Sequence, residues 1–85
     1  MKATSEGYRY IVRRKGVRGG NPIVDGSRIG VHDVVSAFLS GATIDDIIRS
    51  FPDLSRAQVY ECLAYYEDHK DTIDYQVARQ MADPD

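Results

Sequence analysis

Two histidines stand beside aspartates, in His32-Asp33 and Asp68-His69, and an imidazole next to a carboxylate is raw material for proton transfer or metal ligation. Neither pair has a matched third ligand in its own segment, so both read as surface residues, and neither a catalytic nor a metal-binding residue is assigned. Asp45-Asp46 is a further acidic pair, but helical neighbours point about 100° apart, and a helix dipole explains acids in a first turn. Gly16-Val17-Arg18-Gly19-Gly20 lacks the Lys and Ser or Thr that complete a phosphate-cradling loop, which argues against a nucleotide site there. Cys62 is the only cysteine and lies on an apolar helical stripe with no neighbouring base, so it reads as core. These exclusions predict a protein that is not an enzyme and carries no cofactor.

What remains is cationic. Up to Gly30 the chain has seven basic residues against two acidic ones; from Val31 onward it has four against eleven, so a net charge of −2 conceals two halves of opposite sign. Such a division suits one polyanionic and one basic partner, or self-association of opposite halves. Arg13-Arg14-Lys15 and Arg18, with Arg28 beyond them, sit in a strand and a glycine-rich loop. Lysine and arginine neutralise a phosphate backbone with release of counterions, and glycine lets the main chain approach it closely, so these five are predicted DNA contacts. A solvated, charged edge strand that resists aggregation is the competing account.

The elements that would position these residues follow from periodicity. Residues 8–14 alternate Tyr8, Tyr10 and Val12 against Arg9, Ile11 and Arg13, the pattern of a half-exposed edge strand. Asp25-Gly26 between two short apolar arms signals a hairpin over residues 23–29. From Val31 the spacing becomes helical: Val31, Val34, Val35, Phe38 and Leu39 form one face, closed by Gly41. Thr43 with Asp46, and Ser55 with Gln58, have capping-box spacing and open two more helices. Their apolar faces are Ile44, Ile47, Ile48 and Phe51, then Val59, Cys62, Leu63 and Tyr66, with Pro52 between. Residues 67–70 end or bend the third helix. A fourth, with Ile73, Val77 and Met81 at every fourth position, either packs on the bundle or lies in another protein's groove.

The fold class is therefore mainly α: a short N-terminal β strand or hairpin, a three-helix bundle with helix-turn-helix order, and a C-terminal helix. Residues 1–7 are expected to be a flexible N-terminus, 8–70 a single domain (basic β segment 8–30, bundle 31–70) and 71–85 a helix with a frayed tail. In a helix-turn-helix the second helix enters the major groove, which here offers Arg56, Gln58 and Tyr60 for base edges. Glu61, Glu67 and Asp68 would repel phosphate if they faced it, and Gln58 serves equally as a cap in a purely structural bundle. The unpaired edge at residues 8–12 predicts a homodimer through the β segment, doubling the basic surface for a palindromic operator. One cysteine, no apolar leader and no membrane-length apolar run predict a cytoplasmic protein with no membrane span.

The order from Gly20-Asn21-Pro22-Ile23-Val24-Asp25-Gly26-Ser27-Arg28-Ile29-Gly30-Val31 through Asp33-Val34 resembles the signature of domain-of-unknown-function family 433. Gly41-Ala42-Thr43, Ile47, Phe51-Pro52-Asp53-Leu54-Ser55, Val59 and Leu63-Ala64-Tyr65-Tyr66 continue the resemblance, which spans roughly residues 8–77. Ser27 stands where the family usually has Thr and Gly30 where it usually has Pro, implying a looser exit from the hairpin. The resemblance implies a homeodomain-like three-helix fold and similarity to VapB-type antitoxins encoded beside a PIN-like ribonuclease toxin. It thereby implies two partners, operator DNA and that nuclease. For the nuclease, the acidic C-terminal part offers Tyr65, Tyr66, Ile73, Tyr75, Val77 and Met81, with Arg79 reaching toward the toxin's acids; Tyr66 reads equally as core. The competing function is a protein-binding adaptor whose helix-turn-helix is only a scaffold.

Overall fold

The computed structural model describes residues 7–82. The expected flexible segment at residues 1–7 lies, apart from Gly7, outside the described residues, as does the end of the tail. Two short strands, β1 (Ile11–Val12) and β2 (Ile23–Val24), precede four helices: α1 (Val31–Leu39), α2 (Ile44–Ser50), α3 (Arg56–Asp68) and α4 (Lys70–Ala82). The described chain is mainly α with a two-stranded antiparallel arm, the class its periodicities predict.

β1 and β2 pair with Ile11 opposite Val24 and Val12 opposite Ile23, and all four side chains are buried. The half-exposed strand expected over residues 8–14 is thus corrected to a two-residue strand with neither residue facing solvent. Residues 8–10 lie along α3 instead: the Tyr8 ring packs on Tyr65 at 4.8 Å between centroids, and its hydroxyl donates to Asp68 at 2.5 Å. The Arg9 and Tyr10 N–H groups donate to Glu61 at 3.3 and 2.5 Å. The edge that motivated pairing between two copies is therefore engaged by the chain's own third helix.

Asp25-Gly26 does make the turn. Ser27 N–H donates to the Val24 carbonyl at 3.1 Å across Gly26, whose φ of +84° favours glycine. The Ser27 hydroxyl donates to Val24 O at 2.7 Å and accepts Ile29 N–H at 3.0 Å, so the turn's exit is stitched rather than loosened.

Helix starts fall where short-range chemistry puts them. Thr43 and Asp46 cap α2 reciprocally, both bonds at 3.0 Å, and Ser55 and Gln58 do the same for α3 at 3.1 and 2.8 Å. One core holds all four helices: Val31, Val34 and Val35 of α1 pack with Ile47, Leu54, Val59, Cys62, Tyr65, Tyr66, Ile73 and Val77. α1 is its centre, packed on both α3 and α4. Two members of its predicted apolar face are corrected: Phe38 and Leu39 are 42% and 51% exposed, and in the last turn of α1 it is Ala37 that packs against the core. α4 folds back on the bundle through Ile73 and Val77. Among the described residues, no helix is long and apolar enough to cross a membrane.

Candidate functional site

The predicted DNA contacts do not form one cluster. Arg18 is the most engaged: its guanidinium donates to Asp33 Oδ2 and to the Arg28 carbonyl, each at 2.8 Å, and lies 3.3 Å from His32 Nε2. Its φ of +50°, rare for a residue with a side chain, is held by these bonds. Arg14 pairs with Asp25, and Arg13, Lys15 and Arg28 are exposed to solvent. Arg56 belongs to another region, donating to Asp45 at the start of α2 at 2.6 Å. Gln58 caps α3, the structural role weighed against base reading.

On α3 the exposed residues are Arg56, Ala57, Tyr60, Ala64, Glu67 and Asp68. Glu61, one of the acids expected to repel phosphate, is half-buried against the β arm through its bonds to Arg9 and Tyr10. Asp68 accepts the Tyr8 hydroxyl, and Glu67 pairs with Lys70 at 3.3 Å. Two of the three acids are thus occupied by the arm, and the outward face of the first three turns is cationic, aromatic and small.

A second cluster surrounds the start of α1. His32 is corrected from a surface residue to a buried one, only 5% exposed. Burial lowers the pKa of its imidazole; the Asp33 charge opposes this and the Arg18 charge adds to it. For Asp33, burial alone would raise the pKa, but bonds from Arg18, Gly30 N–H and Gln80, with the neighbouring histidine, hold it below the ordinary value. Beside this cluster lies a cavity of about 350 Å³, lined by Asn21, His32, Tyr75, Gln76, Arg79 and Gln80.

The predicted partner-binding residues divide by burial. Tyr65, Tyr66, Ile73 and Val77 belong to the core, whereas Tyr75, Arg79 and Met81 are exposed on α4. Sequence reasoning missed Asn21, His32, Gln76 and Gln80. The i, i+4 spacing of Gln76 and Gln80, adjacent to that of Tyr75 and Arg79, was the available signal that the four share one side of a helix. Asn21 and His32 join them only through the fold. Among the described residues no group of His, Cys, Asp or Glu side chains is placed to hold a metal ion.

A capped helical bundle with a short β arm clasped to its third helix defines a small, mainly α domain. The chain belongs to the family described as Protein of unknown function (DUF433), which matches residues 11–66. It is similar to the crystal structure of a DUF433 member protein from Anabaena variabilis ATCC 29413, at 28% identity and a TM-score of 0.76 over 80% of this chain and 67% of that one. No curated protein matches it.

Proposed function

We propose that this chain is a cytoplasmic DNA-binding antitoxin, which contacts operator DNA through the outward face of α3 and a PIN-like ribonuclease through the exposed side of α4. The observation that supports the DNA half most is the withdrawal of Glu61 toward the β arm, which leaves Arg56 and Tyr60 on a face where Ala57 and Ala64 permit close approach to a groove. α2, the turn at residues 51–55 and α3 serve as the helix-turn-helix, and exposed Arg13, Lys15 and Arg28 supply phosphate contacts from the arm. The nuclease half rests on the resemblance to VapB-type antitoxins and on Tyr75, Arg79 and Met81, the only predicted partner residues that remain exposed. The adaptor reading is favoured by one feature, that Arg14, Arg18 and Arg56 are already ion-paired within the chain.

Fluorescence anisotropy with duplex from the chain's own upstream region tests the DNA half. The logarithm of the affinity should fall linearly with log salt, and Arg56→Ala should weaken binding by about 1–3 kcal/mol. Failure to retain DNA at low salt, with a protein partner still co-purifying from the native host, would favour the adaptor. Recovery of a ribonuclease that the added chain inhibits is the expected result for the nuclease half; recovery of none rejects it.

A further inference from the structure

We infer, resting on the DNA-binding reading of α3, that its outward face reads a guanine in the major groove through Arg56, and that Asp45 is the residue that positions Arg56 for it. Arg56 is the first residue of α3 and Asp45 the second of α2. The fold joins them across 11 positions of chain, with Arg56 Nη2 donating to Asp45 Oδ1 at 2.6 Å. Tyr60, one turn along α3 on the same side, is hydrogen-bonded through its side chain to the same guanidinium. Both contacts favour the charged group, the carboxylate more than the hydroxyl. The two side chains of the ion pair are 55% and 65% exposed, so the pair adds little stability while fixing where a long side chain points. The dipole of α2 accounts for an acid in its first turn, but not for that acid's contact with α3. Asp46 does not compete for Arg56, because it caps Thr43 and pairs with Arg49.

What a guanidinium so held can take follows from its chemistry. It has donors only, and Asp45 Oδ1 and the Tyr60 hydroxyl engage part of them, leaving others for a ligand with two adjacent acceptors. A phosphate or a protein carboxylate offers such a pair, but brings a second anion beside Asp45, and like charges repel at that range. A guanine edge offers the same pair, N7 and O6, without a net charge. Adenine sets an amino donor beside its N7, thymine has one acceptor, and cytosine presents a donor, so none of them satisfies both arms of the fork. The neighbours permit the approach: Ala57 and Ala64 are exposed and small, and Glu61 is turned toward the β arm.

Asp45 thereby has two effects of opposite sign. Fixing the fork before DNA arrives lowers the ordering cost of the specific contact. Its charge opposes every mode of binding in which Arg56 meets only the phosphate backbone. The carboxylate therefore raises selectivity and lowers general affinity.

Selection by the full chain from a pool of duplexes with a randomised centre supplies the probe. Each guanine of the most enriched duplex is then replaced singly by 7-deazaguanine, which lacks the N7 acceptor, and by adenine, with affinity read by fluorescence anisotropy. One guanine should stand out, its 7-deaza replacement weakening binding about tenfold. Arg56→Ala should bind the enriched duplex about tenfold more weakly and respond alike to guanine and 7-deazaguanine there. Asp45→Ala should bind unrelated duplexes several-fold more tightly, while its preference for guanine over adenine falls about tenfold. Asp45→Asn keeps the acceptor oxygen without the charge, and should show the tighter general binding with most of the preference retained. Circular dichroism reports whether each variant is folded; Arg56→Lys, a charge without the fork, and Asp45→Asn remain as tests if an alanine variant is not. Retention of DNA without dependence on any one guanine overturns the inference and leaves the DNA reading standing. A 7-deaza penalty that survives in Arg56→Ala, or a preference unchanged in Asp45→Ala, does the same. Failure to retain any duplex at low salt rejects the DNA reading itself, and the guanine contact with it.

Discussion

Position 30 shows how one residue sets its neighbours. Gly30 has φ −78° and ψ 149°, a conformation that a proline would also adopt. Proline, however, could not donate the N–H that Asp33 Oδ2 accepts at 2.9 Å to cap α1. A Cβ at this position would also lie 2.6 and 2.7 Å from Cε1 and Nδ1 of His32. Glycine at 30 and a buried imidazole at 32 are therefore one packing solution. A consequence for pH follows. The unfolded chain protonates His32 near its ordinary value of 6.5, whereas the folded chain does so only at lower pH, so the unfolded state binds more protons between the two. The stability at stake is complete above about pH 6.5 and is lost as pH falls toward the folded value. The urea midpoint should drop between about pH 7.5 and about pH 5, and His32→Gln should flatten that slope. Equal slopes would show that His32 is not the group responsible. The contribution of Asp33 lies in a lower window, present above about 3.8 and lost below it, as its depressed pKa requires.

Among the elements, the β arm and α3 depend on each other. Glu61 accepts two main-chain N–H groups from the arm, a carboxylate performing for residues 9 and 10 what a neighbouring strand performs in a sheet. Removing it leaves the part-buried Tyr10 N–H without a partner. Glu61→Ala should cost about 1.5–3 kcal/mol in chemical denaturation and raise the exchange rate of the Tyr10 amide, with Glu61→Gln intermediate because its oxygen still accepts. Unaltered Tyr10 exchange in the alanine variant would place the arm's stability elsewhere. The caps of α2 and α3 were legible because Thr43 with Asp46 and Ser55 with Gln58 act across three residues of sequence. Glu61 was not legible, since its partners lie more than fifty positions away and its own stretch reads as an exposed acidic face.

For the molecule as a whole, α4 decides whether the chain is complete without a partner. Ile73 is fully buried against the bundle, so Ile73→Ala should cost about 2–5 kcal/mol by thermal or chemical unfolding. Cys62 provides an internal reporter: burial, and secondarily the Glu61 charge, push its thiol up to about 12, so it stays protonated and enclosed at neutral pH. Alkylation in native buffer should therefore be slow and should accelerate in Ile73→Ala. Fast labelling of both forms, with no change in Tm, would mean that α4 docks only when another molecule holds it.

Alternation, helical spacing, Asp25-Gly26, Pro52 and the capping pairs act within a few residues of one another. They determined the element order, the helix starts and the mainly α class from sequence alone. Only the tertiary structure decided how far along each element the apolar side stays covered and which polar groups go inward with it. It buried Tyr65 and His32, exposed Phe38 and Leu39, drew Arg18 onto Asp33, and brought Asn21 within 3.2 Å of Gln76 across 55 positions of chain. Those outcomes depend on how helices of different length cover one another. Local periodicity fixes a stripe along each helix and leaves open where the neighbouring helix ends.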